Sequence, residues 1–456
     1  MSGQPTHILY LHSHDTGRYI APYGHAVQTP NLQRFAESGV VFRHAFCANP
    51  TCSPSRACLL TGQYAHTNGM LGLAHLGGRL AEPGDTLPNH LRSQGYQTVL
   101  AGVQHVRPAD GSYTTADMGY TLDLSADRKP AKPGPIGNDE ATVESTCAFL
   151  AEHQGDDTPF FLDAGFFTTH RLGMDEADGL PLQWHNDDPP LGDPRYAAVP
   201  ATLPDTPACR KDFADYVHAA QRLDSYYGRI FDALETHGLA DRTLVIITTD
   251  HGIAFPGMKC NLTAHGTGVL LMMRGPGVTG GRVLQGLASH VDLFPTVCDV
   301  AGLPTPDRVQ GVSLRPMIDA DDDTASVRDE VFAEVNYHAT YQPMRGVRTE
   351  RYSYIRRLEE APRIVRPNID NSPSKSELQH AGLLERDLAA EELFDLYRDP
   401  TEACNRAEDP AYAEALSDMR ARLDRWMQDT HDPALAGPVH DPRITTRPAE
   451  QYSPSK

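Results

Sequence analysis

The sequence predicts an α/β fold, with a large, mostly parallel sheet flanked by helices and a smaller C-terminal antiparallel sheet with a helix. Apolar segments of strand length alternate with helical segments over the first two-thirds of the chain. Beyond residue 326, apolar and polar residues alternate with the period of antiparallel strands. An acidic stretch without apolar periodicity, residues 319–329, separates these regions. We therefore predict a catalytic α/β domain over residues 1–325 and an α+β subdomain over residues 326–456.

Length and charge limit the classes of function. A chain of 456 residues can bury a large core. Its 60 acidic residues against 40 basic residues give a net charge of −20, which argues against nucleic acid or an anionic membrane as partner. An anionic substrate would need a locally basic site. No apolar run reaches about 18 residues and Met1–Thr6 lacks the features of a leader, which predicts a cytoplasmic protein.

The first predicted strand ends in polar residues. The apolar run 7–12 is followed at once by Ser13, His14 and Asp15. Ligands of open α/β sheets gather at the carboxyl ends of the strands. Asp15 is therefore a candidate metal ligand, although an aspartate that caps a turn would give the same local pattern.

The following elements continue the alternation of strands and helices. A helix from residue 29 ends at Gly39, and residues 40–46 form a strand. A helix over residues 86–92 precedes a strand over residues 97–102, after which His105 follows. This order indicates a mostly parallel sheet with polar residues beyond its strand ends.

The second half of the sheet repeats this pattern. A buried strand beginning at Pro159 is followed by His170, and a Pro- and Asp-rich insertion over residues 181–207 is predicted to be a surface loop. After a long amphipathic helix, 211–236, the strand 243–249 runs directly into Asp250, His251 and Gly252. These residues are placed to meet Asp15 at one edge of the sheet.

The stretch Cys52–Gly62 is predicted to be a helix that begins at a reactive residue. Pro54 suits the first turn, and Gly62 ends the helix. Backbone N–H groups and the positive end of the helix dipole converge near Cys52, and Arg56 lies one turn further on the same face. Such an arrangement polarises an oxyanion. A buried structural cysteine before an ordinary helix is the alternative interpretation.

The sequence Cys-x-Pro-Ser-Arg followed by Leu-Thr-Gly resembles the signature of the type I sulfatases of the alkaline phosphatase superfamily. The flanking stretches 46–51 and 66–73 and the C-terminal segments 392–402 and 430–433 are similar to the heparan N-sulfatase (sulfamidase)-like branch. The resemblance covers nearly the whole chain. It implies an alkaline phosphatase-like sheet and hydrolysis of a sulfate ester or sulfamate, on a carbohydrate.

The resemblance also implies a set of site residues. Cys52 would be oxidised to formylglycine by a formylglycine-generating enzyme, and its hydrate would attack sulfur. The catalytic set would be Cys52, Arg56, His105, His170 and Lys259. The metal ligands would be Asp15, Asp250, His251, His14 and the modified Cys52. Family members usually bind Ca²⁺, but imidazole ligands leave Mn²⁺ or Mg²⁺ open.

The C-terminal part is expected to close over a small sulfated substrate. His265, His338 and Arg345 are the candidate substrate-binding residues. N-sulfate and O-sulfate are not distinguished by the sequence. Two other functions stay open, namely a phosphodiesterase or phosphonate monoester hydrolase of the same superfamily, and a catalytically silent binding protein.

Two positions depart from the family pattern. The family has two aspartates after the first strand, where this chain has His14 before Asp15. It also has a lysine two residues before the histidine that corresponds to His105, where this chain has Val103. We expect a neighbouring histidine, His14 or His265, to replace the missing positive charge.

Overall fold

The computed structural model describes residues 6–125, 135–171, 184, 193–278, 280–359 and 362–446. Within these residues the chain forms an eight-stranded sheet and a separate four-stranded sheet. The strands of the larger sheet are β1 (His7–Ser13), β2 (Val40–Phe46), β3 (Gln97–Gly102), β4 (Leu122–Asp123), β5 (Phe160–Gly165), β6 (Thr243–Thr249), β7 (Leu271–Arg274) and β8 (Arg282–Ser289).

The strand order of the larger sheet is β4-β3-β5-β1-β6-β7-β2-β8. Strand β7 runs antiparallel to both of its neighbours, and the remaining pairs are parallel. The predicted large and mostly parallel sheet is therefore confirmed.

Helices cover both faces of this sheet and one face of the smaller sheet. The helices are α1 (Pro30–Ser38), α2 (Cys52–Thr61), α3 (Ala65–Asn68), α4 (Leu87–Ser93), α5 (Pro135–Glu152), α6 (Pro207–Thr236), α7 (Ala264–Thr267), α8 (Leu293–Ala301), α9 (Arg315–Asp319), α10 (Pro373–His380) and α11 (Ala413–Asp429). None of the helices in the described ranges has the length and apolar character needed to cross a membrane.

The central strands are buried on both faces, which explains their nearly continuous apolar sequences. In β1, Ile8 and Tyr10 pack into one apolar core, and Leu9 and Leu11 pack into the core on the opposite face. This alternation follows from the two-residue period of a strand. Two layers of helices are therefore held by one sheet.

The central strands end at the same level, which positions the site. Ser13 is paired with Thr249 across β1 and β6, and His12 is paired with Gly165 across β1 and β5. Gly102 at the end of β3 is also paired with Gly165. The polar residues that follow these strands consequently emerge side by side at one edge of the sheet.

The smaller sheet is antiparallel, as predicted. Its strands are β9 (Glu330–Tyr337), β10 (Tyr341–Thr349), β11 (Tyr352–Arg357) and β12 (Glu391–Asp395), in the order β12-β11-β10-β9. A shared core joins it to the larger unit, because Cys58 of α2 packs in one cluster with Val347 of β10 and Trp426 of α11. The division at residues 325 and 326 stays a prediction.

The predicted surface loop 181–207 is confirmed only for part of its described residues. Residues 193–206 are mostly exposed or half-buried, but Trp184 is only 2% exposed. Residues 181–183 and 185–192 lie outside the described residues. The Arg171 guanidinium lies 3.9 Å from the Trp184 ring, and the Trp184 indole N–H donates to Asp212 Oδ1 at 2.8 Å. Trp184 therefore belongs to a core around α6, because its ring is large enough to cover a buried ion pair.

Candidate active site

Two buried aspartates form the centre of the site at the ends of β1 and β6. Asp15 and Asp250 are 0% and 3% exposed, and the Asp15 backbone N–H donates to Asp250 Oδ1 at 2.8 Å. Asp15 has a φ of +53°, a backbone conformation that is uncommon for residues with a side chain. The tight turn after β1 thus brings the two carboxylates together, as predicted from the sequence.

His251 presents an electron pair to these carboxylates. Its Nδ1 donates to the Gly252 carbonyl at 2.9 Å, so in the neutral ring the lone pair is on Nε2. That Nε2 lies 3.4 Å from Asp15 Oδ1 and 3.7 Å from Asp250 Oδ2. Asp15 Oδ1 is buried and has no hydrogen-bond partner among the described residues. Acceptors that face each other without a proton between them fit a cation, so the donor set suits a divalent metal.

His14 lies beside the same carboxylates as a neutral imidazole. Its Nδ1 is 2.9 Å from Asp250 Oδ2, while its Nε2 is buried with no hydrogen-bond partner in the described ranges. Burial, together with the charge on Arg56, holds the pKa of His14 well below its usual value. The expectation that His14 supplies a positive charge in place of a lysine is therefore not supported.

Cys52 opens helix α2 directly beside this cluster. Its Sγ lies 3.4 Å from His251 Nε2, and its side chain is 2% exposed. The helix covers Cys52–Thr61 and is terminated by Gly62, whose φ of +66° suits a glycine, so the predicted helix is confirmed. Burial raises the pKa of the Cys52 thiol, which would stay protonated at neutral pH and would be a weak nucleophile. We call Asp15, Asp250, His251, His14 and Cys52 the catalytic cluster.

Arg56 is anchored from behind by a chain of buried polar residues. One guanidinium nitrogen donates to Asp250 Oδ2 at 3.1 Å and another to His12 Nδ1. His12 in turn donates from Nε2 to Asp163 Oδ1 at 2.8 Å, and the Tyr120 hydroxyl donates to Asp163 Oδ2 at 2.5 Å. Asp163 therefore fixes the His12 tautomer, and His12 holds the Arg56 fork against Asp250.

Lys259 reaches the cluster from the loop after β6. Its Nζ lies 3.1 Å from Asp15 Oδ2 and 3.2 Å from Asp370 Oδ2. Burial alone would lower the pKa of Lys259, but the two carboxylates outweigh burial and raise it well above the usual value. The ammonium group is therefore charged and is shared between the first strand of the large sheet and the C-terminal part.

Three further histidines lie on the open side of the cluster. His170 Nε2 is 3.8 Å from Asp15 Oδ2, and the rings of His14 and His170 are 5.2 Å apart. The His105 ring is 5.5 Å from the His14 ring, and its Nε2 is 3.4 Å from His75 Nδ1. Burial and the charge on Arg56 hold the pKa of His105 well below its usual value. The His105 imidazole is therefore neutral at neutral pH, with one ring nitrogen free of a proton.

The predicted substrate-binding residues are dispersed. His338 is 6% exposed, and burial and the nearby Lys259 charge lower its pKa well below the usual value, which places it near the cluster. His265 Nε2 instead contacts the Thr401 carbonyl at 2.9 Å at an exposed position. Arg345 is 0% exposed and donates to both Asp432 oxygens, at 2.5 and 3.0 Å. The His265 and Arg345 side chains therefore bind partners outside the catalytic cluster.

Arg345 belongs to a second group of buried titratable residues. His66 Nδ1 lies 2.9 Å from Glu334 Oε1, and Arg345 lies 3.5 Å from Glu334 Oε2 while it also binds Asp432. We call His66, Glu334, Arg345 and Asp432 the contact cluster, because it joins the segment after α2 to the smaller sheet. Its acids are neutralised by their neighbours, so Arg345 has a structural role here.

Sequence reasoning missed Asp370, His12 and Asp163. Asp370 lies in an irregular segment without a motif, 111 residues after Lys259. His12 and Asp163 carried a signal, since each is a polar residue inside an otherwise apolar strand. Buried polar groups need partners, so their occurrence on adjacent central strands indicated a contact.

A cavity of about 590 Å³ adjoins the open side of the cluster, and His75 is among its lining residues. His14, His105 and His170 form part of its wall, and Val103 lines it where the family pattern has a lysine. The short side chain of Val103 therefore leaves the cavity open towards His105 at this position.

Comparisons with known proteins identify the family of this chain. The profile of the Sulfatase family matches residues 6–303, and the profile of the N-sulphoglucosamine sulphohydrolase C-terminal domain matches residues 263–374. Human N-sulphoglucosamine sulphohydrolase is 30% identical over 95% of this chain and 92% of its own length. An ulvan-active sulfatase from Formosa agariphila is 26% identical over 94% of this chain and 75% of its own length. A crystal structure of a candidate sulfatase from Bacteroides thetaiotaomicron superposes with a TM-score of 0.74 at 23% identity and covers 99% of each chain.

Proposed function

The chain belongs to the sulfatase family, and from this premise we propose that it removes the sulfuryl group from a sulfated carbohydrate by means of a formylglycine formed at Cys52. The relatives named for N-sulphoglucosamine and for ulvan both act on carbohydrates, which supports this class of substrate. The bond that breaks is S–O in an ester or S–N in a sulfamate. The observation that carries the proposal is the position of Cys52 at the start of α2, beside His251 and the paired aspartates.

The burial of Cys52 supports the modification. A buried thiol with a raised pKa stays protonated and cannot attack sulfur efficiently. A hydrated aldehyde at the same position would present two hydroxyl groups, one to attack sulfur and a second whose proton can be removed to release sulfate. His105, whose imidazole is neutral, is the residue we assign to that proton removal.

A divalent cation fits the acceptors of Asp15, Asp250 and His251, with His14 as a fourth ligand. When bound, the ion would polarise the nucleophile and offset the charge of the sulfuryl oxygens. This donor set contains imidazole nitrogen as well as carboxylate oxygen, and Ca²⁺ prefers oxygen ligands. We therefore expect Mn²⁺ to bind at least as tightly as the family's usual Ca²⁺, with Mg²⁺ as a further alternative.

The remaining charges bind the sulfuryl group and serve the leaving atom. Arg56 and Lys259 carry the positive charges that three sulfuryl oxygens require. His170 lies on the open side of Asp15 and is placed to give a proton to the departing oxygen or nitrogen. Asp370 keeps Lys259 oriented from the C-terminal part of the chain.

The two departures from the family pattern offset each other in charge. A neutral His14 removes one negative charge from the metal site, and Val103 removes one positive charge from the sulfuryl site. The net charge of the whole site is thereby kept without a second lysine. This balance replaces the earlier expectation of a protonated histidine.

Mass spectrometry and paired assays test the proposal. Protein made together with a formylglycine-generating enzyme should carry a Cys52 peptide lighter by about 18 Da, the replacement of sulfur by oxygen with loss of two hydrogens. The peptide with exposed Cys404 should keep its thiol and serves as the matched control.

The modified protein should hydrolyse 4-nitrophenyl sulfate faster than an aryl phosphonate. Full activity with an unmodified Cys52 thiol would contradict the proposal. Faster turnover of the phosphonate would favour a phosphonate monoester hydrolase, and metal binding without turnover of either compound would favour a silent binding protein.

A further inference from the structure

A cavity lies beside the histidines of the site and has no role in the function proposed so far. All of its described lining residues precede residue 171, so none comes from the smaller sheet. We call it the β3 cavity, because its wall includes the end of β3 and the segment that follows it. Its volume of about 590 Å³ lies within the range of small-molecule sites.

The β3 cavity is connected to the reaction centre through its wall. His14, His105 and His170 belong to the site already described and also line this cavity. A group that leaves sulfur on the His170 side would therefore enter the cavity. The short side chain of Val103 keeps that passage open, since a longer one would extend from the same wall.

The lining combines apolar walls with hydrogen-bonding groups, as carbohydrate sites require. Apolar side chains can cover the C–H faces of a sugar, and amide or hydroxyl groups can bind its hydroxyls. The apolar lining residues are Leu100, Val103, Leu124, Ala141 and Phe167. The Asn138 side-chain amide is exposed and has no side-chain partner among the described residues, so it is available to a ligand.

Arg107 adds a positive charge to this lining. It is exposed, and no carboxylate within the described ranges pairs with it, although the chain has a net charge of −20. The other charged lining residue, Asp123, accepts from the Ser125 backbone N–H at 2.9 Å and from the Thr115 hydroxyl at 3.4 Å. An exposed guanidinium is not placed for a sulfuryl group held among the buried Arg56 and Lys259. It suits a second anionic group.

We propose that the β3 cavity holds the sugar that leaves sulfur, and that this sugar carries a second sulfate or a carboxylate bound by Arg107. The inference rests on the proposed sulfatase function and specifies its substrate. Specificity for such a substrate arises in the catalytic domain and does not depend on Arg345 of the smaller sheet. The reacting sulfuryl group and the second anion would then be bound by different sets of cations.

Kinetics with matched sugars test the inference. Sulfated monosaccharides are compared in pairs that differ by one additional sulfate or carboxylate, using the mature enzyme. We expect kcat/KM to be about ten- to a hundredfold higher for the doubly anionic member, through a lower KM, as for a charge-assisted contact. In Arg107→Gln this preference should fall to nearly one, and Arg107→Lys should restore part of it.

Arg425→Gln is the matched control, because Arg425 is an exposed arginine on α11 far along the chain from the cavity. It should keep the preference of the parent enzyme. An Arg107→Gln variant with the same preference as the parent would overturn the inference, whereas failure to hydrolyse any sulfate would overturn the proposed function instead.

A crystal structure of the Cys52→Ala variant soaked with a doubly sulfated glucosamine gives a second test that needs no turnover. The inference expects the sugar ring in the β3 cavity with its second anion against Arg107. A sugar seated against His338 and Gln342 of the smaller sheet would overturn it.

Discussion

The catalytic cluster and the contact cluster contain the same kinds of residues but differ in how their charges are paired. Both place histidine and carboxylate groups within reach of one another, and both are buried. In the catalytic cluster Asp15 Oδ1 and His251 Nε2 face each other as acceptors. In the contact cluster the Arg345 guanidinium lies between Glu334 and Asp432.

The difference shows that residue types alone do not define a metal or catalytic site. Buried acids that are fully paired stabilise a contact between elements, and replacing one member leaves its partner with an uncompensated charge. Buried acceptors without donors are costly in the free protein and are expected where a ligand or ion supplies the missing charge. Substitutions in the two clusters should therefore separate loss of function from loss of stability.

The largest effect is expected for Asp250→Asn in the catalytic cluster. Removing this charge should lower kcat/KM by about 10³-fold or more, since the ion and Arg56 both lose a partner. Added Mn²⁺ should raise the Tm of the parent protein but not that of the variant. At a hundredfold excess over Kd, the ion should add about 2.7 kcal/mol to the free energy of unfolding of the parent protein. Asp319→Asn, at an exposed ion pair, is the control. Unchanged metal content in Asp250→Asn would contradict the assignment.

Glu334→Gln should give the opposite result in the contact cluster. We expect a loss of about 3 kcal/mol in the free energy of unfolding, measured in urea, because His66 and Arg345 lose a shared buried partner. Metal content should not change. Glu330→Gln on the same strand removes a half-exposed pair with Arg422 and should cost less than about 1 kcal/mol. A large loss of bound metal in Glu334→Gln would show that the contact cluster is a metal site.

Asp370→Asn tests a residue that connects the two regions. Lys259 would keep Asp15 as its partner but lose its second carboxylate, so its position at the sulfuryl group should become less defined. We expect kcat/KM to fall by about ten- to a hundredfold, the size seen for residues that orient a ligand from behind. Asp387→Asn, an exposed aspartate in the same part of the chain, is the control. Equal kinetics for both variants would exclude a role for Asp370.

The smallest effect is the pH dependence of stability in the contact cluster. Burial lowers the pKa of His66, but the Glu334 charge outweighs burial and raises it. For Glu334, burial alone would raise the pKa. The charges of His66 and Arg345 outweigh burial and lower the pKa of Glu334 to about 2.

The contribution of His66 is complete below the unfolded histidine pKa and is lost as pH rises through its folded value. The contribution of Glu334 is present above the unfolded glutamate pKa and is lost only as pH falls towards 2. His66→Gln should therefore destabilise the protein by about 1 kcal/mol more at pH 5.5 than at pH 9. His237→Gln, at an exposed site, should show no such difference. A pH-independent loss in His66→Gln would mean that His66 is not charged.

The sequence allowed the meeting of Asp15 and Asp250 at one edge of the sheet to be predicted because its determinants are local. Asp15 and Asp250 each follow a buried strand at once, and adjacent parallel strands must end at the same edge. Cys52 and Arg56 were found for a similar reason, since both lie within a single turn of one helix. Patterns of this kind can be recognised in the sequence without knowledge of the tertiary contacts.

Pairing across distant segments could not be predicted. Arg345 was expected to bind substrate, but the residue that neutralises it, Asp432, is 87 positions away. The partner of Lys259, Asp370, lies in a segment without regular structure. Whether a charged residue is free for a ligand depends on such contacts, which composition and spacing do not encode.

If Cys52 is oxidised as we propose, its burial sets a time limit on that oxidation during synthesis. A maturation enzyme would have to reach this residue before the site closes, and the site cannot close until His251 has been made, 199 residues later. At about 5–20 residues per second, a ribosome leaves this cysteine accessible for roughly 10–40 s. Slower translation of the first sheet should therefore raise the fraction of modified enzyme, and chains that fold unmodified should stay inactive even if the maturation enzyme is supplied afterwards.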